Sequence, residues 1–322
     1  MLWLTWRQHR AQILVTGGLL LALGLLLLVS GLRAGAYVAE HAPPGCPGPG
    51  AACLEVNSAL YEDFYNPVYL VFGLLPFLGS GLIGAFWGAP LLATEFERGT
   101  ATLAWTQSVS VGRWLAVKLA VLGAVVVTAA LALSAMIGLW LNVFQDALGD
   151  RRFHDGVFSV VGVVPAAWWL FAFMLGAAAG TFFRRTLAAM AVTVAAIALT
   201  VPVIFFSRDA YAEPVRTVTA EWSALFSGDG KVVDQAWVDP AGREARDQPS
   251  GVCPPPSGLP AQSERAQRLV EECLIGKGYR MAVYHHPPTR FWRFQWTETG
   301  ILLTAALTLG GLTAARTLHR RS

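Results

Sequence analysis

Six long stretches of this chain contain no Asp, Glu, Lys, Arg or His: Ile13 to Leu32, Pro67 to Thr94, Leu119 to Gln145, Gly156 to Phe183, Thr186 to Ser207 and Thr299 to Ala315. A helix needs about 20 mainly apolar residues to cross roughly 30 Å of hydrocarbon, and in lipid only a helix or a closed barrel satisfies its own backbone. The pattern predicts an all-α integral membrane protein with six transmembrane helices. The last stretch is the shortest, but Phe294 to Thr297 precede it, so its helix can begin earlier with Glu298 near a wet end.

Orientation follows from Lys and Arg in the short segments near the spans. With Arg7 and Arg10 inside, the inner segments also hold Arg98, Arg113, Lys118, Arg184, Arg185, Arg316, Arg320 and Arg321, against Arg33, Arg151 and Arg152 in the short outer loops. Both termini are therefore expected in the cytoplasm. Ala34-Gly35-Ala36 resembles a signal-peptide cleavage site, but the apolar stretch before it is longer than the usual core of such a peptide. Its removal would also upset the charge alternation. The net charge of +3 averages an Arg-rich inner face with a mixed outer one and gives no reason to invoke nucleic acid.

These features divide the chain into an interfacial helix at 1–12, spans one to five over 13–207, an outer loop domain at 208–296, and span six with a basic tail at 297–322. Trp3 and Trp6 interleaved with Arg7, His9 and Arg10 suit the headgroup region. Cys46, Cys53, Cys253 and Cys273 all fall outside, where disulfides persist. Four cysteines permit three pairings. Cys46 with Cys53 and Cys253 with Cys273 are preferred, because each pair shares one loop. The spacings fit no zinc signature. In the large outer loop, Asp239 to Pro260 reads as coil, Gln262 to Leu274 has helical apolar spacing, and Tyr279 to Tyr284 reads as a strand.

Within the spans, Gly84-x-x-x-Gly88 and Gly176-x-x-x-Gly180 place small residues on one helix face and allow close backbone approach. Pro76, Pro90, Pro165 and Pro202 predict kinks. Ionisable groups at membrane depth mark proton relays, ion sites and catalytic dyads, and the apolar stretches carry none. His285 and His286 lack the spacing of a helical zinc site, and Gly228-Asp229-Gly230-Lys231 lacks the spacing of a phosphate loop. No catalytic, cofactor or metal site is expected in this chain, so an energy source must come from elsewhere.

The informative inner segment is 93–118, ATEFERGTATLAWTQSVSVGRWLAVK. It is long enough for a short helix parallel to the membrane. Glu95, Glu97 and Arg98 offer charge-assisted contacts, Leu103 and Trp105 offer apolar anchors, and Trp105 and Trp114 suit an interfacial helix equally well.

Glu95-Phe96-Glu97-Arg98-Gly99-Thr100, followed by Thr106-Gln107-Ser108, Arg113 and Lys118, resembles the inner loop of permease subunits of type-2 ATP-binding-cassette (ABC) exporters. Trp3 to Arg10 and Tyr284 to Gln295 resemble a branch common in actinobacteria. The resemblance implies that a coupling helix at about Glu95 to Thr106 seats on a cytoplasmic ABC ATPase that binds the ATP. It also implies that a second permease copy, identical or not, completes the assembly in a bacterial cell membrane. The large outer loop with two cysteines departs from better-known relatives. The other class of function compatible with these features is a membrane sensor or accessory protein whose outer loop binds a ligand.

Overall fold

The computed structural model describes residues 2–48, 50–97, 99, 110–219, 230–249, 251–254 and 264–319. Six helices are long and apolar enough to cross a membrane: span 1 at His9–His41, span 2 at Leu54–Glu97, span 3 at Val111–Asn142, span 4 at Val164–Phe183, span 5 at Thr186–Tyr211 and span 6 at Pro288–His319. Spans 1, 2, 5 and 6 contain their uncharged stretches whole, and spans 3 and 4 cover most of theirs. Most extend past them, because a helix continues through the headgroup layer, where Arg33 and Glu40 of span 1 can be wet. The helix of span 1 begins at Leu2 and runs without a break to His41. Span 4 starts later than its stretch suggested, with Pro165 in the first turn, where its missing N–H costs nothing.

Span 4 is the centre of the first compact unit, with 67% of its apolar window buried, against 6% for span 1. It packs on spans 2, 3 and 5. Its partner face is cut for backbone contact. A methyl group on Gly84 would stand 2.9 Å from the Ala172 carbonyl oxygen, and one on Gly180 would stand 2.5 Å from that of Ala89. The two glycine motifs thus face each other within the chain. Span 1 leans on span 3, where Gly24 lies beside Met136 and Gly31 beside Trp140 and Val143. Leu14, Leu21, Leu25 and Leu32 remain exposed along it, as expected of a helix solvated by lipid.

Span 2 is not a uniform α-helix. It widens to π geometry at Leu60–Tyr65 and Ile83–Gly88. One extra residue per turn re-aims the side chains that follow, and such bulges recur at functional sites. Pro76 and Pro202 lie inside helices, whereas Pro90 opens the α-turns after the second π segment. The first π segment delivers Tyr65 into an aromatic cluster, stacked 5.5 Å from Trp140 and edge-on to Phe144. The Cys46–Cys53 disulfide closes the segment before span 2, which ends in a 3₁₀ turn at Ala51–Cys53, with Cα atoms 5.4 Å apart.

A second compact unit comprises Gly149–Phe153 and Asp209–Phe291. The fold is therefore not wholly α-helical. This unit contains a four-stranded antiparallel sheet, β1 (Val215–Thr219), β2 (Lys231–Val238), β3 (Glu244–Ala245) and β4 (Arg280–His286), in the order β1-β4-β2-β3. The Asp239 carboxylate accepts the Ala241 and Arg243 amides and, with Gly242 at φ +83°, turns β2 into β3. The Glu264–Gly276 helix ends with a Tyr279 amide to Leu274 carbonyl bond of 3.0 Å around left-handed Gly278. Its Leu274 joins Trp237, Met281, Val283 and Cys253 in a small core. The Cys253–Cys273 disulfide ties the helix to that core across 20 residues of sequence.

Candidate functional site

The last turns of span 2 meet three other elements at the end of the bundle where the chain begins and ends. The Lys118 ammonium of span 3, nearly buried over the Trp114 ring, donates to Glu95 Oε1 at 3.2 Å. Both ions have given up water, so removing either one would leave the other buried without a counter-charge. Glu97 reaches across to span 5. Its Oε1 accepts the Thr186 amide at 2.9 Å and its Oε2 the Thr186 hydroxyl at 2.6 Å. The first amides of a helix have no partner inside it and carry partial positive charge, so a carboxylate there satisfies both demands. Here the cap comes from a residue 89 positions earlier.

Between these two carboxylates Phe96 faces the Arg184 guanidinium, 5.4 Å from its ring. Arg184 itself is left-handed at φ +56° and ends span 4, its amide bonded to the Gly180 carbonyl at 3.1 Å. Three consecutive residues therefore hold span 3, the span 4–5 turn and the start of span 5. Gly99 is left-handed at φ +66°, with its amide on the Phe96 carbonyl, the conformation in which glycine stops a helix. Of the residues expected to couple, Glu95, Glu97 and Gly99 come together here. Arg98, Thr100, Leu103 and Trp105 lie outside the described residues. Both expected disulfides are present, and among the described residues no cluster of potential metal ligands occurs.

At the opposite end of the first unit lies a cluster that the uncharged stretches concealed. Glu298 is fully buried and accepts from Arg208 Nε at 2.7 Å, Arg208 Nη2 at 2.9 Å and Trp168 Nε1 at 2.8 Å. Arg208 Nη2 also donates to Ser159 Oγ at 2.5 Å, and the guanidinium lies 4.7 Å over Phe158. One turn away, the buried Gln295 amide accepts the Val163 and Val164 amides and donates to the Phe158 and Val161 carbonyls. Spans 4, 5 and 6 are thus joined by a continuous polar network. Arg208 closes one apolar stretch and Glu298 opens another, with opposite charge, and that complementarity was the available sequence signal.

This architecture defines a multi-pass helical membrane protein with a polar hub at the termini end, centred on a Glu-Phe-Glu sequence. Residues 17–207, more than half of the chain, match the family described as ABC-2 membrane transporter related, and the chain belongs to that family. The match ends before the Asp209–Phe291 segment of the second unit. Neither the curated proteins nor the solved structures compared with the chain gave a match.

Proposed function

We propose that this chain is the permease subunit of an ATP-driven ABC exporter of a bacterial cell membrane, of the actinobacterial branch. Its termini and the 93–118 loop face the cytoplasm, and the Asp209–Phe291 unit faces outside. A separate cytoplasmic ATPase binds and hydrolyses ATP, and a second permease copy completes the pathway. The observation that carries this reading is the span 2 hub, in which one short segment grips span 3 through Glu95 and span 5 through Glu97. A partner seated on the adjoining residues 98–109 can then displace several spans at once. ATP-driven closure of two ATPase subunits would shift the population of an inward-open assembly toward an outward-open one.

The test is co-expression with an ATPase encoded beside this gene, followed by purification in mild detergent. The reading expects the two chains to copurify. It expects Arg98→Glu to leave membrane insertion intact while ATP no longer changes the labelling of a cysteine placed on the outer side. Copurification without any effect of this substitution would remove the loop from the coupling path. Labelling of Gly99→Cys in intact cells by an impermeant reagent would overturn the orientation.

A further inference from the structure

A slot of about 530 Å³ separates span 1 from span 2 near the end that carries the chain termini. Val15 and Leu19 form one wall, Leu82 and Phe86 the other, and Leu133 and Trp169 form the floor. Its lining on span 1 extends from Ala11 to Leu23, a rise of about 18 Å at 1.5 Å per residue. That is close to the roughly 15 Å depth of one hydrocarbon leaflet. One end is bridged by Gln12, whose Nε2 donates to the Phe86 carbonyl at 2.8 Å, within the second π segment.

The walls decide what can fill this space. Water needs two to four polar partners, and almost the whole lining is hydrocarbon. An alkyl chain from the surrounding lipid has the right chemistry for such walls and, at about the depth of one leaflet, the right length. At the mouth, Arg7 and Arg10 are exposed within about one turn of Ala11 and supply positive charge at headgroup level.

We propose that the slot seats one acyl chain of an anionic phospholipid, with its phosphate beside Arg7 and Arg10. The bound chain braces the π segment of span 2 against span 1, and span 2 leads directly to Glu95 and Glu97. This site requires only that the chain sits in a bilayer. It stands or falls separately from the coupling to an ATPase.

The test is native mass spectrometry of the delipidated protein in mild detergent, titrated separately with phosphatidylglycerol and phosphatidylcholine. The expected result is one retained phosphatidylglycerol per chain and a preference over phosphatidylcholine. Arg7→Gln with Arg10→Gln should weaken phosphatidylglycerol about 30-fold, since each cation near an anionic headgroup contributes about 1 kcal/mol. Leu19→Trp with Leu82→Trp should fill the slot and reduce retention of both lipids. Leu19 and Leu82 are 65% and 52% exposed, so the larger rings need not disturb the core. Wild-type retention by the tryptophan variant would overturn the site. Equal binding of the two lipids would overturn the headgroup assignment. Oxidative cross-linking of Leu19→Cys between copies would show that a second copy covers the slot, and would overturn the proposal.

Discussion

Replacing Glu298 by Gln keeps the side chain's shape but removes its charge, which isolates what the carboxylate does. In the native structure Arg208, 4% exposed, has its Nε and Nη2 on that carboxylate and its Nη2 also on Ser159. After Glu298→Gln the guanidinium stays buried with no counter-charge, a loss of about 3–5 kcal/mol for a broken buried pair. The double substitution Arg208→Met with Glu298→Leu removes both charges together. It leaves Trp168 Nε1 and Ser159 Oγ without these partners, at about 1–3 kcal/mol each at most, offset by the about 1–4 kcal/mol by which apolar replacement of a buried pair often stabilises. The double variant is therefore expected to be no less stable than the single one, although it is chemically more drastic. Equilibrium unfolding in mixed SDS and mild-detergent micelles gives both values. A double variant clearly less stable than Glu298→Gln would refute the reasoning, because the pair would then be net stabilising rather than merely compensated.

Three further outcomes follow from the packing and the second unit. Gly84→Ala forces a methyl group to 2.9 Å from a backbone oxygen, and should destabilise the bundle by about 1–3 kcal/mol in the same unfolding assay. Cys253→Ala with Cys273→Ala opens a 20-residue loop and should cost the second unit about 3 kcal/mol, seen as faster proteolysis between 209 and 291 with the spans intact. Burial, more than its neighbours Arg290 and Lys231, holds the His286 imidazole below its ordinary pKa against an opposing hydrogen bond with Asp209. The unfolded chain then takes up the proton first, so stability of this unit should fall as pH drops below about 6.5, and His286→Gln should flatten that dependence in pH-resolved melting curves.

The spans were legible because lipid as a solvent imposes a length and a composition on every crossing segment, independent of what packs beside it. Their ends were less so. Arg33, Lys118, Arg208 and Glu298 all belong to helices that a charge-free criterion truncates, since a charge near a helix end is tolerated wherever water or a partner reaches it. The pairing of Glu97 with Thr186 joins residues 89 apart, and that of Arg208 with Glu298 residues 90 apart. No local spacing encodes either contact. The sheet was hidden for a different reason. Val215 to Thr219 and Lys231 to Val238 alternate only weakly, because β1 is largely exposed on both faces and β2 carries a bulge between Val232 and Asp234. The Tyr279 to Tyr284 strand could be read because Met281, Ala282 and Val283 are buried together.

The contacts of span 2 bear on what kind of motion the coupling reading requires. Its second π segment lies backbone to backbone against span 4 through the paired glycines, leaving little room for sliding without a clash. Its final turns are fastened to span 3 by Glu95, to the span 4–5 turn by Phe96 and to span 5 by Glu97. Bending span 2 alone would break a buried ion pair and uncover a helix N-terminus. A shift that carries the ends of spans 2, 3, 4 and 5 together breaks neither. Span 1 meets span 2 at this end through the Gln12 bond to the Phe86 carbonyl, with the slot beside it. On the coupling reading, a force applied at residues 98–109 is expected to move the fastened ends of spans 2 to 5 as one body, and the slot gives them room to move past span 1. Packed interfaces of this kind switch between arrangements more readily than they deform.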